Sequence, residues 1–118
     1  MVTFQWGIFW ADLNPVKGSE QSGTRPVLII SSEEVNRALP IVTIISITSL
    51  KQGRRVYPIE VLLPSHESGL TKDSIVMAHQ IRSISKEWLG EKCGSIESEE
   101  TRELIKQAIK LYLDLDYS

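Results

Sequence analysis

The chain has 118 residues, 42% of them hydrophobic, a formal net charge of −2 and one cysteine, Cys93. That length suits a single domain, 1–118, with one core, and the apolar content excludes a disordered chain. A lone cysteine excludes an intrachain disulfide and with it a secreted disulfide scaffold, so a reducing, cytoplasmic setting is expected.

No apolar run approaches the roughly 18 residues of a membrane span. The stretch MVTFQWGIFWADLNP lacks the basic start of a signal peptide and carries Asp12 within its apolar part. Charge is unevenly spread. Through Gly90, nine Lys/Arg stand against eight Asp/Glu; from Glu91 on, four stand against seven. The bulk charge does not announce a nucleic-acid binder, yet the first part leaves room for a local basic groove.

Along the chain, GIFWADL has strand-like aromatic and β-branched content, and NPVKGSEQSGT breaks it with Pro15, Gly18 and Gly23. Loops of that length in compact domains are usually functional or mobile. RPVLIISS reads as a buried strand whose first position tolerates Pro26. SSEEVNRAL predicts a short helix capped by Ser31 or Ser32, with Glu33 and Glu34 in its first turn. IVTIISITS, RVYPIEVLL and DSIVMAHQIRSI are further strand runs, the last with a bend near Ala78. Short strands in succession, with no long helix between them, predict a small antiparallel barrel or sandwich over about 6–85.

The tail changes period. Leu104, Ile105, Ala108, Ile109, Tyr112 and Leu115 fall at the three-and-four spacing of an amphipathic helix. Ser98 suits its N-cap, and Glu99 and Glu100 suit its first turn, so a helix over about 98–115 is expected to lie against the barrel.

Metal chemistry finds little support. His66, His79 and Cys93 show no ligand-like spacing, and His66-Glu67 begins a zinc-protease pattern that Leu70 interrupts. No nucleophile elbow, phosphate-cradling loop or dinucleotide fingerprint is present. The remaining polar set comes from strand ends and the long loop. Thr48 and Ser49 either close a strand or face a ligand. Asp73 is either a turn residue or part of a site, and Gln80 and Arg82 either an outward strand face or a groove.

The segment IFWADLNPVKGSEQSGTRPVLIIS, followed by IVTIISITS and later DSIVMAHQIRSI, resembles the MazF/PemK/Kid family of toxin endoribonucleases, the mRNA interferases of type II toxin–antitoxin systems. The likeness runs from about Ile8 to the C-terminal helix. Its most specific parts are Asn14-Pro15, Gly18-Ser19-Glu20-Gln21 and Arg25-Pro26-Val27-Leu28, with the spacing from Arg25 to Thr48. The resemblance implies an SH3-like antiparallel β-barrel with a short internal helix and a C-terminal amphipathic helix. It also implies a homodimer that cuts single-stranded RNA without metal or cofactor. Its expected partner is a cognate antitoxin bearing an acidic, partly disordered segment.

Carried over residue by residue, Arg25 and Thr48 match the family's catalytic pair. Asp73 corresponds to an acidic residue that is catalytic or substrate-orienting in some members. Ser19, Glu20 and Gln21 fall in the substrate-contacting loop, and Ser49, Lys51, Arg54, Gln80 and Arg82 complete the RNA-binding candidates. Lys51, Arg54 and Arg55 read equally as a phosphate track or a solvated hairpin tip.

The implied chemistry is attack by the neighbouring 2′-hydroxyl, leaving a 2′,3′-cyclic phosphate and a 5′-hydroxyl. Such a site must align the 2′-oxygen with phosphorus and neutralise the growing charge. Arginine suits the second task because its planar fork pairs with two phosphate oxygens, and because it stays protonated it is no general base. Thr48 suits orientation of a hydroxyl.

Gln5-Trp6-Gly7 stands where the family commonly has an Arg-Gly-acidic run. Trp6 reads either as a base-stacking ring or as packing at the barrel edge. Two other functions stay open at this level. One is a gyrase-poisoning toxin on the related barrel, whose Trp-Gly-Ile terminus contrasts with LDLDYS here. The other is a degenerate barrel that binds RNA or protein without cutting.

Overall fold

In the computed structural model, which describes residues 2–13 and 23–115, six antiparallel strands form one sheet. They are β1 (Gly7–Asp12), β2 (Thr24–Ile29), β3 (Ile41–Ser49), β4 (Glu60–Leu63), β5 (Ser74–Ser85) and β6 (Leu89–Ser95). The spatial order is β4-β5-β3-β2-β1-β6. The outer strands β4 and β6 do not pair with each other, so the expected barrel is a sheet left open along one seam.

Alternation along the strands sends successive residues to opposite faces. Ile8, Leu28, Ile45 and Ile47 join one buried cluster with Val61, Leu63 and Ile96. Phe9, Ala11, Val27, Ile29, Ile44 and Ile84 join the other. Helix α3 (Glu99–Leu113) covers the first cluster with Ile105 and Ala108, close to the expected bounds. Its cap is Ser98, whose hydroxyl accepts the Thr101 N–H at 3.2 Å. Complete burial of Ile105 contributes about 1.5–3 kcal/mol.

The short helix α1 (Glu33–Ala38) starts after Ser32, which accepts from the Val35 N–H at 3.3 Å. Glu33 reaches back to the amino-terminal segment, accepting from Phe4 N–H at 3.0 Å and Gln5 N–H at 2.8 Å, and pairs with Arg37 at 2.9 Å. Trp6, at φ 65, donates its N–H to the Ile29 carbonyl and accepts from Ile96 N–H. Its ring packs against the first cluster, with Arg102 over it at 5.3 Å. Trp6 is therefore a packing residue in this fold.

The bend expected near Ala78 is present, and it is large. Ile45 pairs with Ile81 but Ile47 pairs with Val76, so residues 77–80 of β5 lie opposite Ser46 alone. Such an insertion bends a strand and increases its local twist. The first half of β5 pairs with β4 and the end of β3; the second half pairs with the start of β3.

The run RVYPIEVLL is strand only from Glu60 to Leu63. Upstream of it, Arg54 folds back on Glu60 with Nη1–Oε1 at 3.1 Å and Nη2–Oε2 at 2.8 Å, and Tyr57 N–H donates to Glu60 Oε1 at 3.0 Å. The Glu60 side chain is only 2% exposed. The helical turn α2 (Ser65–Ser68), the 3-10 turn Lys86–Trp88 and strand β6 carry no periodic signal in the sequence. Among the described residues, no helix is long and apolar enough to cross a membrane.

The Arg54–Glu60 pair carries a stability prediction. Removing one partner of a buried pair leaves the other charge stranded, so Arg54→Ala is expected to cost about 3 kcal/mol at pH 7. The double change Arg54→Met, Glu60→Leu is expected to recover most of it. The Arg54 hydrogen bonds hold the Glu60 carboxyl below its ordinary 4.5, against burial. Its contribution is therefore full above that value and is lost as pH falls through the lowered one. Urea titrations at pH 7 and pH 3 check this: the gap between wild type and Arg54→Ala shrinks in acid.

Candidate active site

The β1–β2 register pairs Trp10 with Pro26, Ala11 with Arg25 and Asp12 with Thr24. The β2–β3 register pairs Val27 with Ser46 and Leu28 with Ile45. Continuing it two residues sets Arg25 opposite Thr48, on the face that Ala11 and Val27 share. Across β3, Thr48 pairs with Ile75 and Ser49 with Ser74. Three strand ends and the start of β5 thus meet at one edge of the sheet. Pro26 restricts Arg25 to extended backbone, so the guanidinium is carried by a stiff element.

A cleft of about 460 Å³ opens at this edge. Arg25, Thr24, Pro26, Trp10, Ser49 and Ser74 line it, Gly69, Leu70, Thr71 and Lys72 form one wall, and Cys93 closes it from β6. Among the described residues, its charged lining residues are both cations, Arg25 and Lys72. Fixed cations facing a partly enclosed cleft focus a field that attracts anions.

The wall is held by specific contacts. The Asp73 carboxylate accepts from Ser65 N–H at 2.8 Å, and the Asp73 carbonyl accepts from Leu50 N–H at 2.9 Å. One residue therefore joins the loop after β3 to the turn that forms the wall. Gly69 takes φ 86 at the end of α2, and its N–H returns to the Ser65 carbonyl. The turn presses on β6 so closely that a Cβ on Gly94 would overlap the Ser68 carbonyl oxygen. Next to it, Ile8 pairs with Gly94 but Phe9 pairs with Lys92, so Cys93 is the extra residue of a bulge, re-aimed toward the cleft. Burial pushes its thiol pKa up.

The residues singled out from the sequence separate into groups. Arg25 and Ser49 line the cleft, and Thr48 is half-buried immediately before Ser49. Asp73 supports the wall through its hydrogen bonds. Lys51 is exposed two residues beyond Ser49. Arg54 was expected along a phosphate track, and its fork is occupied by Glu60. Arg82 pairs with Ile44, five residues down β3 from Ser49 and so about 16 Å away, with its guanidinium over Trp88. Gln80 is half-buried in the β5 bend. Ser19, Glu20 and Gln21 lie outside the described residues.

Trp10, Lys72, Ser74 and Cys93 were not anticipated. Lys72 had a signal, being a cation directly before Asp73. A larger cleft of about 840 Å³ lies between β4, α2 and α3, lined by Leu62, Leu104 and Leu111 and by Glu60, Glu67 and Glu100. Its carboxylates suit no phosphate. Among the described residues, no group of three or more His, Cys, Asp or Glu is placed to hold a metal ion.

The open six-stranded sheet, its carboxyl-terminal helix and a cleft at the strand ends lined by Arg25 and Lys72 define a small β-rich protein with cations at one edge of its sheet. A family model described as PemK-like, MazF-like toxin of type II toxin–antitoxin system matches residues 4–113, and the chain belongs to this family. It is 33% identical to endoribonuclease EndoA of Bacillus subtilis over 115 residues, 98% of this chain and 97% of that one. It is 35% identical to endoribonuclease MazF9 of Mycobacterium tuberculosis over 113 residues, 92% of this chain and 93% of that one. Its fold also matches a mycobacterial endoribonuclease solved in complex with its cognate antitoxin, with TM-score 0.78, 26% identity and coverage of 99% and 100%.

The Gly94 contact tests how the wall supports the cleft. Gly94→Ala is expected to push α2 off β6 and to cost about 2–3 kcal/mol. At Gly90 a Cβ would meet the Trp10 backbone oxygen at an ordinary 3.4 Å, so Gly90→Ala serves as the mild control. Denaturant titration of both variants checks the ordering.

Proposed function

We propose that this chain is the toxin component of a toxin–antitoxin pair and a cytoplasmic, metal-independent, sequence-specific endoribonuclease acting on single-stranded mRNA. The observation that supports the reading is the meeting of Arg25 and Thr48, each two residues beyond the Val27–Ser46 pair, beside a cleft whose charged lining among the described residues is Arg25 and Lys72. The names of the two curated relatives support the activity.

In this reading the 2′-hydroxyl oxygen attacks the adjoining phosphorus and the P–O5′ bond breaks. The products are a 2′,3′-cyclic phosphate and a 5′-hydroxyl. Arg25 pairs with the two non-bridging oxygens and neutralises the charge that grows on them. Thr48 orients the 2′-hydroxyl, whose proton leaves to solvent while the departing 5′-oxygen gains one. Lys72 and Ser49 hold the flanking backbone, and Lys51 extends that contact. Asp73 orients the substrate indirectly, by fixing the wall that carries Lys72. Arg54 acts through the loop it pins, and Gln80 and Arg82 continue the groove along β5. With no strong base among the described residues lining the cleft, positioning and charge neutralisation supply most of the acceleration.

The partner proposed from the complexed neighbour is an antitoxin whose acidic segment lies in the same cleft, with Arg25 and Lys72 as counter-charges. A homodimer is the proposed assembly. It is supported by the exposed Leu111, Tyr112, Leu113 and Leu115 at the end of α3, apolar surface that a second copy would cover.

Incubating a long mixed-sequence single-stranded RNA with the protein in EDTA is the direct test. Wild type is expected to cut at a restricted set of sites and to leave cyclic phosphate ends. Arg25→Ala is expected to lose about 10²–10³-fold in rate, the range for one transition-state charge contact. Equal cleavage by both, or intact RNA with trapped DNA–gyrase complexes, would sink the reading. Binding through about three phosphates should weaken with salt at a log–log slope near −2.

A further inference from the structure

Of the three tryptophans, two have a cation over the indole: Arg102 and Lys106 over Trp6, and Arg82 over Trp88. Trp10 has neither a cation nor a ring over it among the described residues. It is 43% exposed on a strand whose neighbours Phe9 and Ala11 are buried, and it lines the cleft that holds Arg25.

The residues beside Trp10 leave its side chain partly exposed. On one side its cross-strand partner is Pro26, a rigid ring one register step from Arg25. On the other side stands Gly90, where a Cβ would sit 3.6 Å from the Trp10 Cβ. The β1–β6 register also shifts at this point, from Phe9 with Lys92 to Ala11 with Leu89. Bulges of this kind aim side chains next to sites. By strand alternation Trp10 and Arg25 leave opposite faces, yet both line the one cleft at the strand ends.

We propose that Trp10 is the platform on which one nucleobase of the substrate stacks, next to the phosphate held by Arg25. The inference rests on the RNA-cleaving function proposed above and adds the residue that would read a base there. A ring carried on a strand loses little freedom when it stacks, and every base offers a π-face to it. The phosphate contacts bind any sequence; a stacked base fixes the register in which a strand meets Arg25. Trp10 is thus a binding residue that positions the scissile phosphate.

The test uses the full chain and a short single-stranded RNA carrying a mapped cleavage site, with a 2′-deoxy sugar at the scissile position so that binding is read without cutting. Trp10→Ala is expected to weaken binding roughly 5- to 150-fold, and Trp10→Phe to restore most of it. An abasic scan is expected to find one position whose loss costs wild type the same factor and costs Trp10→Ala nothing more. In a Trp6→Phe, Trp88→Phe protein, intact RNA is expected to quench Trp10 emission and that abasic RNA to leave it unchanged.

Wild-type binding by Trp10→Ala, losses that add at every abasic position, or unmoved emission would each overturn the proposal. So would a Trp10→Ala effect on oligomeric state with no dependence on any base, which would place a second copy over the ring. If Trp10→Ala fails to fold, the abasic scan on wild type and the Trp10 emission still decide. Failure of wild type itself to bind and cut RNA would instead sink the parent reading, and it is seen before any variant is compared.

Discussion

The register offset in β5 is the constraint on which the rest of the molecule depends. Residues 77–80 stand opposite Ser46 alone, so one strand serves as two half-strands of different direction. The first half is shared between β3 and β4, and without it β4 would have no partner in the sheet. The offset also fixes where β5 begins, opposite the end of β3, so that Ser74 meets Ser49. Lys72 and Asp73 enter the edge of the sheet from there. The bend is itself tied down, since Ala78 N–H donates to the Ile59 carbonyl at 3.1 Å and His79 lies edge-on to Tyr112 of α3. The closure of the core by α3 and the placement of the cleft thus trace back to one local insertion.

What was legible in the sequence was whatever local chemistry decides. The α3 helix follows from its apolar period and from Ser98, and α1 from Ser32 and the two glutamates after it. Arg25 was visible because Pro26 and the apolar run behind it fix the start of a strand. Strand β6 was not legible: Leu89–Ser95 contains Gly90, Gly94, Glu91 and Lys92 and shows no alternation. Its strand state comes from pairing with β1 and from the close approach of Ser68, both tertiary. Arg54 read as an available cation because nothing in the primary order says that Glu60, six residues on, will be buried beside it. Trp10 read as generic strand content because composition does not say which face of a strand is covered.

The acidic composition and the polyanion-binding reading are reconciled by where the carboxylates go. Glu33 is taken up by the Phe4 and Gln5 amides and by Arg37, Glu60 by Arg54 and the Tyr57 amide, and Asp73 by the Ser65 amide. Glu97 and Glu99 share Arg102 on the α3 side of the molecule. None of these carboxylates lines the cleft at the strand ends, while Glu60, Glu67 and Glu100 gather along the larger cleft beside α3. Among the described residues the two clefts therefore differ in charge, with cations lining one and Glu67 and Glu100 beside the Arg54-paired Glu60 at the other. An approaching phosphate chain feels this separation within a Debye length, about 8 Å at physiological salt, where the net charge of −2 matters less than the nearest fixed charges. On the proposed reading the acidic cleft has a physical consequence of its own: it would repel the same polyanion that Arg25 and Lys72 would hold, and so bias which edge of the sheet an RNA strand meets.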